Sequence, residues 1–208
     1  MLMLSMAKKA AQFTIGIDEV GRGPIAGPVA VGAFVFLDEK AKKLFKGVKE
    51  SKQLSESKRE EWFAHIQESK KKGLIDFQVT FQSEKIIDGK GLSYAIRTAL
   101  FISLGTVVGR NKIKPERIKV LLDGGLKAPL TYENQKTIIK GDEKEMTIAL
   151  ASICAKVLRD RKMNTLAKKY SEYGFERHKG YGTKSHYLAI RKNGLLATHR
   201  RSFLKRIK

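Results

Sequence analysis

The sequence predicts an α/β protein built on a mixed five-stranded sheet with helices on both faces. Three strand-like segments come first in the chain, and two shorter apolar or β-branched runs follow, each ending near an aspartate. Antiparallel-type strands followed by strand–helix units favour one mixed sheet. Hydrophobic residues make up 42% of the 208 residues, which is enough for a buried core.

The first two strands are predicted on either side of a loop rich in glycine and proline. Residues 13–18 alternate between apolar and polar or small side chains, which is the period of a strand. The run VAVGAFVF after the loop predicts a second strand, joined to the first as a hairpin. The segment ESKQLSESKREEWFAHIQESKKKG predicts a helix, in which Ser57 and Glu60 have capping-box spacing and Gly73 ends the helix.

The rest of the chain alternates strands and helices. LIDFQVTFQ predicts a third strand, and GLSYAIRTALFISLGTVVG predicts a helix that is apolar over much of its surface and therefore buried. IKVLLDG is a continuous apolar run, typical of a parallel strand covered on both faces, and KTIIKGD repeats its form. A long helix from about Glu145 to Tyr173 follows, and then a basic segment with HKGYGTKSHY and THRRSF.

The charge of the chain favours a polyanionic partner. Lysine and arginine number 42 against 21 acidic residues, which gives a formal net charge of +21. This balance is typical of proteins that bind nucleic acid. A solubilising basic surface, or adaptation to heat or salt, would produce the same balance and is the alternative interpretation.

The cysteine and hydropathy patterns predict a cytoplasmic protein without membrane association. Cys154 is the single cysteine, so the chain cannot form a disulfide framework, and a reducing compartment is expected. The segment MLMLSMAKKA is not expected to be a signal peptide, because its apolar stretch is too short to form the core of one. No apolar run is expected to approach the roughly 20 residues that span a bilayer.

Three apolar runs end in an acid, at Asp18, Asp123 and Asp142. Sites in open α/β sheets form beyond the carboxyl ends of parallel strands, so these acids converge if the first, fourth and fifth strands are parallel neighbours. Glu19 follows Asp18 and can reach the same place if the chain turns there into the glycine loop. Each acid taken alone is also consistent with a turn or helix-cap residue.

Clustered carboxylates at this place would imply bound cations. Four such groups would repel one another severely, whereas Mg²⁺ or Mn²⁺ would convert them into a cage of oxygen ligands. Two such ions can activate a water molecule and stabilise the leaving oxygen of a phosphodiester. The recurrence of acids at strand ends in so basic a protein favours this interpretation over unrelated turns.

Motifs spread over nearly the whole chain resemble those of the ribonuclease HII family. In chain order they are GIDEVGRGPIAGPV, SKQLSESKRE, LLDGG, KGDEKEMTIALASICAKVLRD, YGFERHKGYGT and HRRSF. The GRG that follows DEV favours type HII over type HIII. The resemblance implies an RNase H-like fold and a divalent-metal endonuclease that cuts RNA in RNA–DNA hybrids and at single ribonucleotides in duplex DNA. It assigns the catalytic, metal-binding acids to Asp18, Glu19, Asp123 and Asp142.

The glycine loop is suited to the recognition of ribose, because the 2′-hydroxyl is what distinguishes one ribose among deoxyriboses. Gly21 and Gly23 lack a Cβ atom, so the backbone can approach a sugar closely, and Arg22 can hold a phosphate. The residues alone are also consistent with a hairpin loop and a solvated arginine. The resemblance implies that GRG senses the ribose and that Tyr181 packs on the next sugar, where a loop anchor is the alternative role. Lys52 and Lys179 are further predicted substrate-binding residues.

Several further residues carry weaker expectations. Gly125 stands where the family usually has an asparagine. Asp160, in VLRD, is predicted to form a helix-surface ion pair with a neighbouring basic residue or to support the metal ligands. His178, His186 and His199 show no clear ligand spacing and are expected to contact phosphate or to lie at the surface.

The sequence and the resemblance together predict a monomeric hydrolase that nicks on the 5′ side of a ribonucleotide and leaves 5′-phosphate and 3′-hydroxyl ends. Residues 13–175 are predicted to form the catalytic domain, and residues 176–208 a basic helical extension packed on it. Two alternatives stay open. A non-catalytic protein that binds RNA–DNA hybrids would not need the acids, and another RNase H-like nuclease, such as a junction resolvase, would not need a ribose sensor.

Overall fold

The computed structural model of the chain describes residues 12–48 and 51–204, apart from the side chain of Lys52. Its strands are β1 (Phe13–Val20), β2 (Val29–Phe36), β3 (Ile75–Gln82), β4 (Ile118–Asp123) and β5 (Gln135–Ile138). They form one sheet in the order β3-β2-β1-β4-β5. β1 pairs antiparallel with β2, and β2 with β3, whereas β1, β4 and β5 run parallel. The predicted mixed five-stranded sheet is confirmed.

Helices cover both faces of this sheet. They are α1 (Glu56–Lys71), α2 (Glu84–Lys90), α3 (Leu92–Arg110), α4 (Gly141–Lys144), α5 (Met146–Lys169), α6 (Phe175–His178) and α7 (Lys184–Asn193). The predicted cap of α1 was wrong. Ser55 has the extended backbone that a cap requires and accepts a hydrogen bond from the Lys58 N–H, while Ser57 already lies in the first turn.

Helix α5 lies directly on β1 and β2 because each strand has a glycine beneath it. A Cβ atom on Gly16 would lie 2.2 Å from the carbonyl carbon of Thr147, and one on Gly32 would lie 2.5 Å from the carbonyl oxygen of Ala151. Only a residue without a side chain permits this approach. Asp18 lies on the same side of β1 as Gly16, since side chains alternate along a strand, so α5 covers this acid.

Helix α3 corrects the expectation that no apolar run approaches the length of a membrane span. By length and composition alone it could cross a bilayer. In the fold it is a core helix instead. Ala99, Leu100 and Leu104 pack with Val31 and Val120 of the sheet in one apolar cluster, on the face opposite α5. The apolar sequence of α3 is thus explained by its contact with the sheet.

The described part of the C-terminal segment packs on α5 and on the glycine loop. One apolar cluster joins Ile25 of the loop, Met163 of α5, Phe175 just before the predicted boundary, and Ile190 beyond it. The boundary after residue 175 stays a prediction, because this cluster contains residues from both sides of it.

Two of the three histidines expected at the surface are buried in this region. His186 and His199 are shielded from solvent, with their Nε2 atoms 3.1 Å apart. The ring of His178 stacks on His186 at 4.3 Å, and Phe175 packs against all three rings. The expectation was wrong for His186 and His199 because the segment folds back over Phe175 and covers both rings.

Candidate active site

Three aspartates meet at the carboxyl ends of the parallel strands. Asp18 lies in β1, Asp123 ends β4, and Asp142 lies in the first turn of α4, shortly after β5. One carboxylate oxygen from each residue lies within 4.8 Å of the other two. We call Asp18, Asp123 and Asp142 the acid cluster. The expected convergence of these three residues is therefore present in the structure.

The strand order and one turn bring the acid cluster together. The parallel pairing of β1 with β4 sets Asp18 beside Asp123, and the pairing of β4 with β5 brings the start of α4 to the same edge. The Gly141 N–H donates to Asp123 Oδ1 at 2.6 Å, which ties the turn before Asp142 to the end of β4. The positions of the acids are thus set by backbone elements of the core.

Burial makes Asp18 of the acid cluster costly to ionise. Burial raises the pKa of Asp18 to about 8; a hydrogen bond from Ser152 lowers it, and the charges of Glu19 and Asp123 raise it. Asp142 is buried as well, and Asp123 is partly exposed. Carboxylates this close disfavour one another's charged form. A cation bound among them would remove both the repulsion and the cost of burial.

Glu19 lies beside the acid cluster but outside the group of three. β1 continues in regular form to Val20, so the turn expected at Glu19 is absent. Its Oε1 pairs with Arg22 at 2.9 Å, whereas its Oε2 is buried and has no hydrogen-bond partner among the residues described. Burial raises the pKa of Glu19, Arg22 lowers it, and the charge of Asp123 raises it.

The donor set fits a hard divalent cation. All four acids offer carboxylate oxygens, which Mg²⁺ and Mn²⁺ prefer over nitrogen or sulfur ligands. The buried and unpartnered Oε2 of Glu19 is an acceptor that the fold leaves unsatisfied. An unpaired buried acceptor costs free energy unless an ion or donor reaches it. The residues present are therefore suited to bind the metal that the sequence predicts.

A pair of serines connects the acid cluster to the SKQLS segment. Ser152, on the face of α5 above Asp18, hydrogen-bonds that carboxylate. Its Oγ also lies 2.8 Å from Ser51 Oγ, and both residues are buried. Arg59 of α1 donates to the carbonyl oxygen of Ser51 at 2.9 Å. The segment that carries Lys52 is thereby attached to the side of α5 that faces Asp18.

Asp160 forms an ion pair, but the pair is not at the helix surface. Lys156 contacts its carboxylate at 2.7 Å, and Arg59 lies 3.9 Å away. Asp160 is only 4% exposed because α1 packs over this part of α5. The expected ion pair with a neighbouring basic residue is therefore present, and its predicted exposure was wrong.

The GRG loop begins directly after β1, beside the acid cluster. Gly21 has a φ of +93°, which a residue with a side chain rarely adopts, and a Cβ atom there would lie 2.3 Å from Arg159 Nε. Arg22 is exposed apart from its contact with Glu19. A Cβ atom on Gly23 would lie 3.5 Å from the ring of Tyr181. The two predicted recognition elements therefore lie next to each other.

The loop that carries Tyr181 is fixed to the glycine loop through its backbone. The N–H groups of Ile25 and Ala26 both donate to the carbonyl oxygen of Gly180, at 2.9 and 3.2 Å. Gly180 has a φ of +89°, and a Cβ atom there would lie 2.3 Å from the Ala26 carbonyl oxygen. The ring of Tyr181 remains 48% exposed, so a substrate can reach it.

The two predicted lysines differ in what the structure describes. The side chain of Lys52 lies outside the described residues. The ammonium group of Lys179 donates to Asn164 at 2.7 Å and to the Glu176 carbonyl at 2.8 Å, and lies 3.4 Å from Glu56. Three acceptors match the three protons of an ammonium group, so contact with a phosphate would require Lys179 to release one of them.

A family model described as ribonuclease HII matches residues 15–206 of the chain. The chain belongs to the ribonuclease HII family. The ribonuclease HII of Caldicellulosiruptor bescii is 42% identical over 196 residues, which cover 94% of this chain and 88% of that protein. As a family member the chain is a metal-dependent endonuclease that acts on RNA–DNA hybrids.

Solved structures of ribonuclease HII relatives have the same fold. The match to the structure titled as the PCNA:RNase HII complex from Archaeoglobus fulgidus has a TM-score of 0.71 at 25% identity and covers 93% of this chain and 94% of that one. The ribonuclease H2 from Pyrococcus horikoshii matches with a TM-score of 0.67 at 28% identity, covering 91% and 93%. The expected RNase H-like fold and type HII enzyme class are confirmed, in preference to a non-catalytic binding protein or a resolvase.

Two residues next to the recognition loops were missed by sequence reasoning. Arg159 and Arg200 are both 0% exposed, and their guanidinium groups bind backbone carbonyl oxygens of these loops. Arg159 stands beside Asp160 in VLRD, and Arg200 lies in THRRSF, so both arginines belong to motifs that resemble those of the family. Their burial gave no local signal, because neighbouring basic residues make both look like surface positions.

Proposed function

We propose that the acid cluster and Glu19 bind Mg²⁺ or Mn²⁺, with two ions present when substrate is bound. The observation that carries this proposal is the approach of three carboxylate oxygens to within 4.8 Å of one another at the edge of a buried sheet. Such ions supply a Lewis acid and an activated water for phosphodiester hydrolysis. Ser152 holds the orientation of Asp18, and the Gly141 N–H holds that of Asp123.

The finer substrate proposal is that the enzyme nicks DNA on the 5′ side of a single embedded ribonucleotide. Gly21 to Gly23 read the 2′-hydroxyl, and Arg22 contacts a neighbouring phosphate. The loop joins β1 next to Glu19, which supports a scissile phosphate close to the ribose that is read. Tyr181, adjacent to Gly23, packs on the sugar of the following nucleotide.

Hydrolysis on this side of the ribonucleotide defines the products. Water adds to phosphorus and the 3′-oxygen of the preceding nucleotide leaves, so the ends are a 5′-phosphate and a 3′-hydroxyl. The strongly basic composition supports a duplex held through its phosphates, which fixes register without reading sequence. Lys52 and Lys179 stay proposed substrate contacts of this kind.

We also propose that the enzyme works as a monomer in the cytoplasm. All four acids and both recognition loops come from one chain, which supports activity without a second copy. The single cysteine is buried and unpaired, which supports a reducing compartment. Sedimentation of the active enzyme bound to one duplex tests the stoichiometry.

The proposed function is tested with an end-labelled duplex that contains one ribonucleotide, with and without Mg²⁺ or Mn²⁺. We expect one metal-dependent nick 5′ to the ribonucleotide, with a 3′ end that a polymerase extends directly. An all-DNA duplex of the same sequence is the control and should stay intact. Cleavage on the 3′ side, or equal cleavage of the control, would contradict the proposal.

A further inference from the structure

Two buried arginines hold the loop over residues 21–28 from its inner side. Within the described residues 12–48 and 51–204, neither Arg159 nor Arg200 forms an ion pair, since no carboxylate oxygen lies within 4.0 Å of their guanidinium nitrogens. Arg159 donates to the carbonyl oxygens of Pro28, Ala26 and Lys179, and Arg200 to three others in the loop. We use the name loop clasp for Arg159 and Arg200 together with the loop over residues 21–28.

Arg200 binds both ends of the GRG-containing loop at once. Its Nε donates to the Gly27 carbonyl at 2.9 Å, Nη1 to the Arg22 carbonyl at 3.0 Å, and Nη2 to the Gly21 carbonyl at 2.7 Å. The rigid planar fork of a guanidinium can satisfy three fixed acceptors in this way, whereas a lysine ammonium is a point donor. Arg200 therefore sets the orientation of two successive peptide groups.

That orientation determines where the opposite edge of the loop points. The described peptide bonds are trans, and in a trans peptide group the C=O and the following N–H point in opposite directions. Since the carbonyls of Gly21 and Arg22 face Arg200, the N–H groups of Arg22 and Gly23 face away from it. Neither N–H has an acceptor within the part of the chain that the structure describes. Two neighbouring free N–H groups on one side form a small donor site for an oxygen atom.

We propose that Arg200 is a positioning residue for ribose recognition: without touching substrate, it aims the Arg22 and Gly23 N–H groups at the 2′-hydroxyl oxygen. This inference rests on the proposed function, in which the loop reads that hydroxyl. The guanidinium is the group that can hold three carbonyls in a fixed plane.

The test compares a parent chain that keeps Arg200 with its Arg200→Lys variant. The quantity compared is how well each distinguishes ribose from deoxyribose in a bound duplex. Both carry Asp18→Asn, so that binding is measured without cleavage. Dissociation constants are determined for a duplex with one ribonucleotide and for the same duplex in DNA. The parent should prefer the ribonucleotide, and Arg200→Lys should reduce this preference about tenfold by misaligning two hydrogen bonds. Affinity for the all-DNA duplex should stay within about twofold, since the charge is kept.

A matched substitution far from the clasp serves as the control. Arg117 is exposed and precedes β4, at the end of the sheet opposite the acid cluster. Arg117→Lys should leave the ribose preference unchanged. In the active enzyme, Arg200→Lys should lower kcat on the single-ribonucleotide duplex and change KM little, because phosphate contacts persist.

A second measurement uses the unsubstituted recognition loop and does not depend on how Arg200→Lys folds. In the Asp18→Asn parent, the amide resonances of Arg22 and Gly23 should shift when a single-ribonucleotide duplex replaces the all-DNA duplex. If the parent binds both duplexes equally, the proposed ribose sensing fails and this inference fails with it. If the parent discriminates but Arg200→Lys discriminates equally well, or the two amides do not respond, the role of Arg200 alone is overturned.

Discussion

The acid cluster and the loop clasp lie side by side, but they differ in how their buried polar groups are satisfied. The carboxyl groups of the acid cluster face one another, whereas the arginines of the loop clasp are hydrogen-bonded within the chain. In the acid cluster, like charges face one another, and burial raises the pKa of Asp18 to about 8. The Oε2 of neighbouring Glu19 has no partner in the described part of the chain. In the loop clasp, each of the three guanidinium nitrogens of Arg200 donates to a carbonyl oxygen.

This difference separates two tasks within one site. In the proposed function, the acid cluster is electrostatically incomplete until cations bind, so its residues would serve the reaction at a cost to the isolated fold. The loop clasp has its hydrogen-bond partners within the chain, and in our proposal its residues fix the geometry of the loop before any substrate arrives. Substitutions in the acid cluster should therefore remove activity without loss of stability, and substitutions around the clasp should alter discrimination and folding.

The largest effect is expected from Asp18→Asn. The change removes a proposed ligand and should lower kcat by about 10³-fold or more, because both water activation and leaving-group stabilisation depend on the bound ions. Without divalent ions the free energy of unfolding should stay equal or rise, because the amide removes the cost of burying an ionisable carboxyl and, secondarily, its repulsion with Glu19 and Asp123. Cleavage assays and denaturant unfolding measure the two quantities.

The matched control for this variant is the same substitution at a compensated buried acid. Asp76 is 3% exposed and accepts from Lys70, Arg110 and Asn111. Asp76→Asn should lose stability and keep near-normal cleavage. If Asp18→Asn and Asp76→Asn shift stability and activity alike, the contrast between incomplete and complete sites is wrong.

The next effect concerns Tyr181→Ala, on the recognition side. The ring should pack on the deoxyribose that follows a single ribonucleotide, so its removal misplaces that substrate and should cost up to ~10²-fold in kcat/KM. The loss should be smaller on a continuous RNA–DNA hybrid, where the next sugar is a ribose. Rates on both substrates provide the measurement, and equal losses would mean that Tyr181 is only a structural anchor.

Divalent ions should stabilise the fold through the acid cluster alone. At an ion concentration about 100 times its dissociation constant, binding adds about 2.7 kcal/mol to the free energy of unfolding. Thermal unfolding with and without Mn²⁺ should show this gain in the unsubstituted chain. The gain should largely disappear in Asp18→Asn and persist in Arg200→Lys. A gain of equal size in Asp18→Asn would place the stabilising ion elsewhere.

The acid cluster could be predicted from the sequence because its signals are local. Apolar runs that end in Asp18, Asp123 and Asp142 indicate strand ends, and the topology of an α/β sheet brings such ends together. The strands themselves follow from alternation and β-branched residues. Even here one local choice failed, since Ser55 and not Ser57 caps α1, and two nearby serines offer the same signal.

The loop clasp could not be predicted because its contacts are distant in sequence. Arg200 binds the carbonyl oxygen of Gly21, 179 positions away, and Arg159 binds that of Pro28, 131 positions away. The sequence around either arginine does not indicate burial. Their partners are backbone carbonyl oxygens, which every residue type has, so no particular residue in the sequence marks the contact. His199 was misplaced for the same reason, because its burial depends on how the C-terminal segment folds over α5.

The smallest effect on activity at neutral pH is expected from the buried histidines behind the loop that carries Tyr181. His186 Nδ1 faces the Tyr181 carbonyl oxygen at 2.9 Å and must carry the proton, so its Nε2 accepts from His199. A second proton, on His186 Nε2, would place that N–H group against the N–H group of His199 Nε2. Burial lowers its pKa to about 4, with smaller contributions from the charges of His178 and His199.

The sign of the resulting pH dependence follows from the direction of the shift. Between the unfolded pKa of 6.5 and the folded value of about 4, the unfolded chain binds more protons than the folded one, so stability falls as pH falls. One histidine contributes about 1.4 kcal/mol per pH unit in this range. Denaturant unfolding from pH 7.5 to 4.5, in the Asp18→Asn background to remove titration of that acid, should show the decline. His186→Phe should flatten it, while substitution of the exposed His65 should not; an unchanged slope in His186→Phe would mean that other groups cause the acid sensitivity.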